Sequence, residues 1–501
     1  MTDITVYVRP GSAVVQRWIA TAAVLFTAAI VLSMQALANT GQPTHAVAWG
    51  SVGLAAYAAS LLCLIGGGKE RWLGLGLWWI GSWTLLWYGV AFGLASLTYL
   101  QPRPEVALIS LSSVLRALWL VAVGMTLWVL GYFLGPGRPA LRFGNKAMAA
   151  LSVRFTAEVR SPLAPWILYA IGTAARIATA VTTGRFGYVG DVQSGVTTAS
   201  SYQQWLSYLS LCAPMGVAAA ALQVYRQRVP GARVTLIVLF LAEIVVGAAA
   251  GGKQNFIITI LAVVIPFTSA RRKIPKGMLI FAVLAFLLII VPFTQAYRTT
   301  TRSGTLSASQ AFEAVPGTVR QTVATGDVAG VFSYTTSFML DRISEIQSPA
   351  MFMQTTPTQI GFLSPLELVE APVIDLIPRA VWPGKPIMDP GYQVSQEYFG
   401  LPSSVYTSFA VTPIGDLYRH GGWIPVIVGM FLLGCGVRFL DEVMDVSGNP
   451  HSVLLFLLLF PSLVKQENDW VGMLGIIPGT LLVWLLAIYL TFQKKSGEIE
   501  Y

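Results

Sequence analysis

The sequence predicts an all-α polytopic membrane protein with about twelve transmembrane helices and one large extracytoplasmic loop subdomain. Three observations carry this expectation. The chain is 55% hydrophobic and only 11% charged, with a mean hydropathy of +0.65, where a soluble domain is about a quarter charged. Apolar windows close to the roughly 20 residues that a helix needs to cross a bilayer recur along its length. Lysine and arginine fall in alternate connections, as the positive-inside rule requires of correctly numbered helices.

In order, the windows are 18–38, 46–66, 73–98, 106–134, 164–182, 205–224, 234–250, 255–270, 277–296, 418–438, 451–466 and 471–492. The first follows Arg9 and Arg17 and is long enough to stay as an anchor instead of a cleaved leader. Lys69 and Arg71 separate the second and third windows, and Arg138, Arg142, Lys146, Arg154 and Arg160 the fourth and fifth. Arg226, Arg228 and Arg233 follow the sixth, Arg271, Arg272, Lys273 and Lys276 the eighth, Arg438 the tenth, and Lys494 and Lys495 the last. These connections share one face, which the rule makes cytoplasmic, with both termini on it. The eighth and eleventh windows are short. The net charge of +9 is then a topology signal, and no nucleic-acid partner is expected. Cys63, Cys212 and Cys435 all fall in apolar windows as packing residues, leaving the outer loop no disulfide framework. Residues 1–295 accordingly hold helices one to nine, 296–410 the loop subdomain, and 411–501 helices ten to twelve with a cytoplasmic C-terminus.

The polar stretch 296–410 places the chemistry outside the membrane. It carries six basic and nine acidic residues, so an anion site there requires particular cations brought together by folding. Arg298 and Arg302 follow directly on the ninth window in AYRTTTR; four apart, they share a face if the helix runs on by one turn. Snorkelling to the interface is the structural alternative for each. The run LIPRAVWPGKP, 376–386, fixes Arg379, Trp382 and Lys385 between three prolines, which restrict their own φ and that of the preceding residue. It reads either as a preorganised phosphate-binding element or as a loop with a tryptophan anchor. Lys253, after Gly251 and Gly252 at the outer end of the seventh window, is a phosphate ligand or a turn residue. Arg342 has Asp341 and Glu345 nearby and reads first as a local ion pair.

TPIGDLYRHGG, opening the tenth window, brings Asp416, Arg419 and His420 to the outer boundary. On a helix Asp416 and His420 share a face and could act as orienter and base; an interfacial histidine without a task is the alternative. Arg116, Arg176 and Glu243 fall within apolar windows, where charge is expensive unless paired or facing a polar cavity. Glu243 is expected to neutralise one arginine, and Arg176 to line the cavity or hold helices in register. The sequence has no GxxxxGK(S/T) loop, no HExxH and no paired-cysteine metal site, which removes support from ATP-driven transport and metal-dependent hydrolysis.

With these residues the chain resembles the Wzy-type O-antigen polymerases, the oligosaccharide repeat-unit polymerases of bacterial surface polysaccharides. The marks are GGKQNF after the seventh window, AYRTTTR, IPRAVWPGKP and GDLYRHGG. The resemblance covers the plan from the first to the twelfth helix. It implies a GT-C-like membrane glycosyltransferase at the outer face of the cytoplasmic membrane, needing no metal or cofactor. Its donor and acceptor are undecaprenyl-diphosphate-linked oligosaccharides, and a chain-length regulator and a flippase are possible partners. Arg298, Arg302, Arg379 and Lys385 would then hold the diphosphate, with Lys253 and Arg342 assisting, and His420, oriented by Asp416, would act as base. A ligase-like transferase moving the glycan to another acceptor, or a transporter of the lipid-linked oligosaccharide, are the alternatives. The periodic arginine-rich loop motif of some members is missing from this chain.

Overall fold

The computed structural model describes residues 13–66, 79–100, 108–184, 186–187, 202–271, 275–301, 308–324, 342–377, 379, 381–386, 389–403, 407–446 and 448–494. These are almost wholly helical, and eleven helices are long and apolar enough to cross a membrane. Without water in the hydrocarbon, a spanning segment has to satisfy its own backbone, which a helix does internally.

The helices are α1 (Ala13–Asn39), α2 (Pro43–Gly66), α3 (Ile80–Leu100) and α4 (Leu111–Leu134), then the mostly exposed basic helix α5 (Arg138–Arg154) and strand β1 (Phe155–Val159). Next come α6 (Ala164–Thr183), α7 (Gln203–Gln227), α8 (Ala232–Ala249), α9 (Lys253–Arg271) and α10 (Lys276–Arg298, running on to Thr301). Shorter helices follow: α11 (Ala308–Ala324), α12 (Gln347–Thr355), α13 (Glu367–Leu376), α14 (Pro390–Glu397) and α15 (Pro413–Arg419). The chain ends in α16 (Trp423–Val443), α17 (Pro450–Val464), α18 (Trp470–Thr491) and strand β2 (Phe492–Lys494).

β1 and β2 pair antiparallel, Phe155 against Lys494 and Val159 against Phe492, and the Arg160 amide donates to Thr491 at 2.6 Å. The start of α6 and the end of α18 therefore lie at one face, so the chain makes an even number of crossings between them. Seven long helices lie in that interval, and α17 supplies the eighth. At 15 residues it is about 22 Å long at 1.5 Å per residue, short of a hydrocarbon core of about 30 Å. Thirteen of its residues are buried, so protein surrounds it instead of lipid.

One expectation is corrected. The tenth span begins at Trp423 and not at 418, because Gly421 and Gly422 take φ of +144° and +72°, left-handed values that break the helix and leave α15 as a separate turn. The second half of the 296–410 stretch packs against the membrane helices: Ile346, Ala350, Met351, Phe352, Leu368, Val394 and Tyr398 belong to the same core cluster, and α12 packs on α4.

The closest helix crossing joins α4 and α16. A Cβ at Gly131 would lie 2.0 Å from the Phe431 carbonyl oxygen, and one at Gly434 would lie 2.0 Å from that of Trp128, the small-residue contact by which helices associate in lipid. At the strand face this pair also holds α3: Asp441 accepts from the Ile80 and Gly81 amides at 2.7 and 3.0 Å and from the Tyr132 hydroxyl at 2.9 Å. Gly434→Ala should therefore abolish the monodisperse folded peak in detergent size-exclusion chromatography. Gly436, on the same helix, has nothing within 4 Å of its Cβ position. Gly436→Ala should elute normally and melt no lower, because alanine exceeds glycine in helix propensity by about 1 kcal/mol. Identical behaviour of the two variants would contradict the crossing.

Candidate functional site

At the face opposite the strands, three chain-distant cations converge. Lys253 opens α9, Arg298 closes α10, and Arg342 precedes α12, and the charges of Arg298 and Arg342 both act on the Lys253 ammonium. The α8–α9 turn that carries Lys253 is gripped by consecutive residues of α10. The Tyr297 hydroxyl donates to the Ala249 carbonyl at 3.0 Å, and Arg298 Nε donates to that of Gly251 at 2.9 Å. Gly251 takes φ +65°, the left-handed value that turns its carbonyl at the end of α8. Lys253 and Arg298 are half-buried and Arg342 is exposed.

Arg342 does not pair with Glu345, one of the two partners the sequence offers, and the other, Asp341, lies outside the described residues. Ile346 is fully buried and Ile343 packs on the core, and these apolar flanks draw the segment inward. The Glu345 amide donates to the Ala91 carbonyl at 3.2 Å, and Trp87 Nε1 donates to Glu345 Oε1 at 3.0 Å. The acceptor carbonyl lies in the π-helical turn Tyr88–Gly93 of α3, whose widened geometry frees backbone groups and recurs at functional positions. Glu345 is 2% exposed and its Oε2 has no hydrogen-bond partner. Burial pushes its carboxyl well above the usual carboxylate range and the Glu467 charge adds to this, against the Trp87 bond and Lys465. Beside it the Tyr88 hydroxyl donates to Gln466 Oε1 at 3.3 Å. Sequence reasoning missed Glu345 as a site residue; its signal was a carboxylate between two isoleucines.

The third group sits on α15. Asp416 is fully buried; Oδ1 accepts from Arg419 Nε at 2.6 Å and Oδ2 from the Trp470 amide at 2.9 Å, so this carboxylate ties α15 to the start of α18. His420 Nδ1 lies 2.8 Å from the Asp416 carbonyl and 3.4 Å from Oδ1, with Nε2 at 3.5 Å from Glu367 Oε2. The expected orienting contact thus runs through the Asp416 backbone first, while its carboxylate serves Arg419. Burial raises the Asp416 pKa, but Arg419 and His420 outweigh it, and the net direction is down. Burial lowers that of His420, and its bonds to Asp416 outweigh this, so the net direction is up. Thr412, capping α15 by accepting from the Gly415 amide, takes φ +64°, a strained value for a β-branched residue that costs about 1–3 kcal/mol.

The remaining expectations divide. Arg379 donates to the Lys385 carbonyl at 2.5 Å and to that of Pro386 at 2.8 Å, and Lys385, which is buried, donates to the Ile377 carbonyl at 3.3 Å. These bonds close the proline-rich loop on itself, with Val381 and Trp382 exposed at its tip. Arg302 lies outside the described residues. Arg116 is exposed near the start of α4, donating to Ser113 Oγ at 3.1 Å, and so is not buried in mid-membrane. Arg176 forms a bidentate pair with Glu243, both bonds 2.7 Å, joining α6 to α8; Glu243 is 2% exposed.

Fold and site together define a polytopic, almost wholly helical membrane protein with a charged cluster at one end of its helices. A family described as a domain of unknown function, DUF8712, matches residues 174–445, more than half of the chain, and the protein belongs to that family. The matched region contains all the charges discussed here except Arg116 and those of the α17–α18 turn. No curated protein and no solved structure matches the chain.

Removing one partner of a buried pair strands the other charge, so Glu243→Gln should destabilise by roughly 3–5 kcal/mol. The double variant Arg176→Met with Glu243→Leu should recover most of that loss in detergent melting, and a double variant no better than the single would sink the pairing. A raised histidine stabilises fully below its ordinary value of 6.5, and this contribution is lost as pH rises through the folded value. The melting temperature should accordingly fall as pH rises from 6.5 through that higher value, and His420→Gln should flatten that slope; an unchanged slope would exclude His420 as its source.

Proposed function

We propose that the protein is a glycosyltransferase that polymerises undecaprenyl-diphosphate-linked oligosaccharide repeat units during bacterial surface-polysaccharide synthesis. In this reading it has a GT-C-like architecture in the cytoplasmic membrane. The strand face is cytoplasmic with both termini, and the cluster of Lys253, Arg298 and Arg342 lies at the outer face. The observation that carries the reading is this convergence of three cations, from three separate segments, at one end of the helices.

In the reaction the acceptor hydroxyl oxygen attacks the anomeric carbon of the donor. A C–O bond forms, the bond from that carbon to the diphosphate oxygen breaks, and the lipid diphosphate leaves with the electron pair. Negative charge grows on the leaving oxygens, and fixed cations that meet it there lower the barrier. Arginine suits this task because its fork is permanently charged and binds phosphate in two places. The hydroxyl proton needs an acceptor. In neutral His420 the Nδ1 proton is donated to the Asp416 carbonyl, which leaves the lone pair on Nε2, and the raised pKa of the ring brings it toward the range where a base works near neutrality.

The reading is tested by analysing carrier-lipid glycans in cells with and without the gene. Single repeats should accumulate on the carrier without it, and Arg298→Ala should reproduce that state with at least about a hundredfold loss of turnover and normal membrane insertion. Long chains stranded on the carrier would instead mean a ligase, and repeats trapped inside the cell a flippase.

A further inference from the structure

Helix α5 carries three lines of residues at the i+3 and i+4 spacing of a helix surface. Leu141, Gly144, Met148 and Leu151 form the inward line. Gly144 and Met148 are buried, and a Cβ at Gly144 would meet Val443 and Phe439 in the last turn of α16. Ala140, Phe143, Ala147 and Ala150 form a second line, all exposed, with Phe143 at 74%. Arg138, Arg142 and Lys146 form a third, also exposed, and no acidic residue falls between 135 and 157. Further along, Ser152 Oγ accepts from Asn449 Nδ2 at 3.3 Å, and Asn449 caps the start of α17. The helix therefore reaches from the end of α16 to the start of α17. It lies across the ends of the membrane helices at the strand face, with an apolar flank and a basic flank turned outward.

We propose that α5 is a docking surface for anionic phospholipid headgroups of the leaflet at the strand face. Phe143 sits in the acyl boundary, and Arg138, Arg142 and Lys146 meet the phosphates. This surface is at the opposite end of the molecule from Lys253, Arg298 and Arg342, and it does not rest on the glycosyl-transfer reading. Two features select the occupant. The first is place: α4 ends at Leu134 and α5 begins at Arg138, so α5 starts where a spanning helix leaves the hydrocarbon. A helix with apolar and basic flanks is stable at that boundary. The second is charge: four cations, with Arg154, stand on α5 without a carboxylate among them. Beyond β2 the chain's own Glu498 and Glu500 accompany Lys494 and Lys495, which they balance without surplus. An anionic leaflet supplies both the countercharge and the hydrocarbon, and each cation held near it is worth about fivefold in binding.

The test places a coumarin amino acid at position 143, and separately at Asn145 on the far flank, in the full chain in nanodiscs of equal phosphatidylcholine and phosphatidylglycerol. A small fraction of one lipid or the other carries a nitroxide at the top of its acyl chain. Labelled phosphatidylglycerol should quench position 143 at least about fivefold more than labelled phosphatidylcholine, and position 145 should be quenched far less by either. Replacing Arg138, Arg142 and Lys146 together by Gln should bring the two lipids to parity at 143 while quenching itself persists, because the apolar line is intact. Salt at 1 M, where the Debye length is about 3 Å, should shift the unaltered chain the same way without any substitution at the cations. Equal quenching by the two lipids in the unaltered chain, or a preference that survives the triple substitution, would overturn the headgroup site. No quenching at 143, with an emission that shifts on Glu498→Gln with Glu500→Gln, would overturn it too and give the surface to the chain's own tail.

Discussion

A charge inside this bundle has no water to solvate it, and three of the four carboxylates buried among the described residues are joints between helices. Glu243 joins α6 to α8 through Arg176. Asp441 caps α3 while accepting from Tyr132 on α4. Asp416 holds Arg419 and the first amide of α18. Each makes at least two hydrogen bonds, so each fixes an angle as well as a contact. Glu345 breaks the pattern: one oxygen is engaged by Trp87 and the other by nothing in the protein.

The membrane plan was legible because apolar windows and basic connections are properties of the chain itself. Eleven of the twelve windows reappear as long helices, and the β1–β2 pairing agrees with an even number of crossings between them. What failed was local backbone detail. Gly421 and Gly422 were read as part of a glycine-rich helix, and only their left-handed φ values reveal a break. The polar average of the 342–398 region hid how much of it packs, since Ile346, Met351, Phe352 and Val394 supply enough apolar surface to join the core.

Among the site residues, the resemblance already put Lys253, Arg298 and Arg342 on one diphosphate, and the fold brings these three to one end of the helices. The proline-rich loop looked like a preorganised anion site because its cations are held stiffly, but stiffness there comes from Arg379 and Lys385 binding the loop's own carbonyls. A cation used as a staple has fewer donors for a ligand. Arg298 stood among the principal candidates by its place at a helix end, while Lys253 in a turn and Arg342 beside two carboxylates were only assisting ones. Tertiary structure gives them their meaning, and the grip of Tyr297 and Arg298 on the α8–α9 turn is what fixes two of the three.

The cations and the buried carboxyl are mechanically linked. Arg342 and Glu345 are three residues apart, so their Cα atoms are at most about 11 Å from each other, and the segment between them is pinned at Ala91 and Trp87. Of the acidic and basic groups at this end, burial pushes the Glu345 carboxyl well above the usual carboxylate range, whereas the interactions with Asp416 raise His420. Burial works with the shift at Glu345 and against it at His420. That division follows from their environments alone: an apolar shell around one, and a carboxylate already committed to an arginine beside the other.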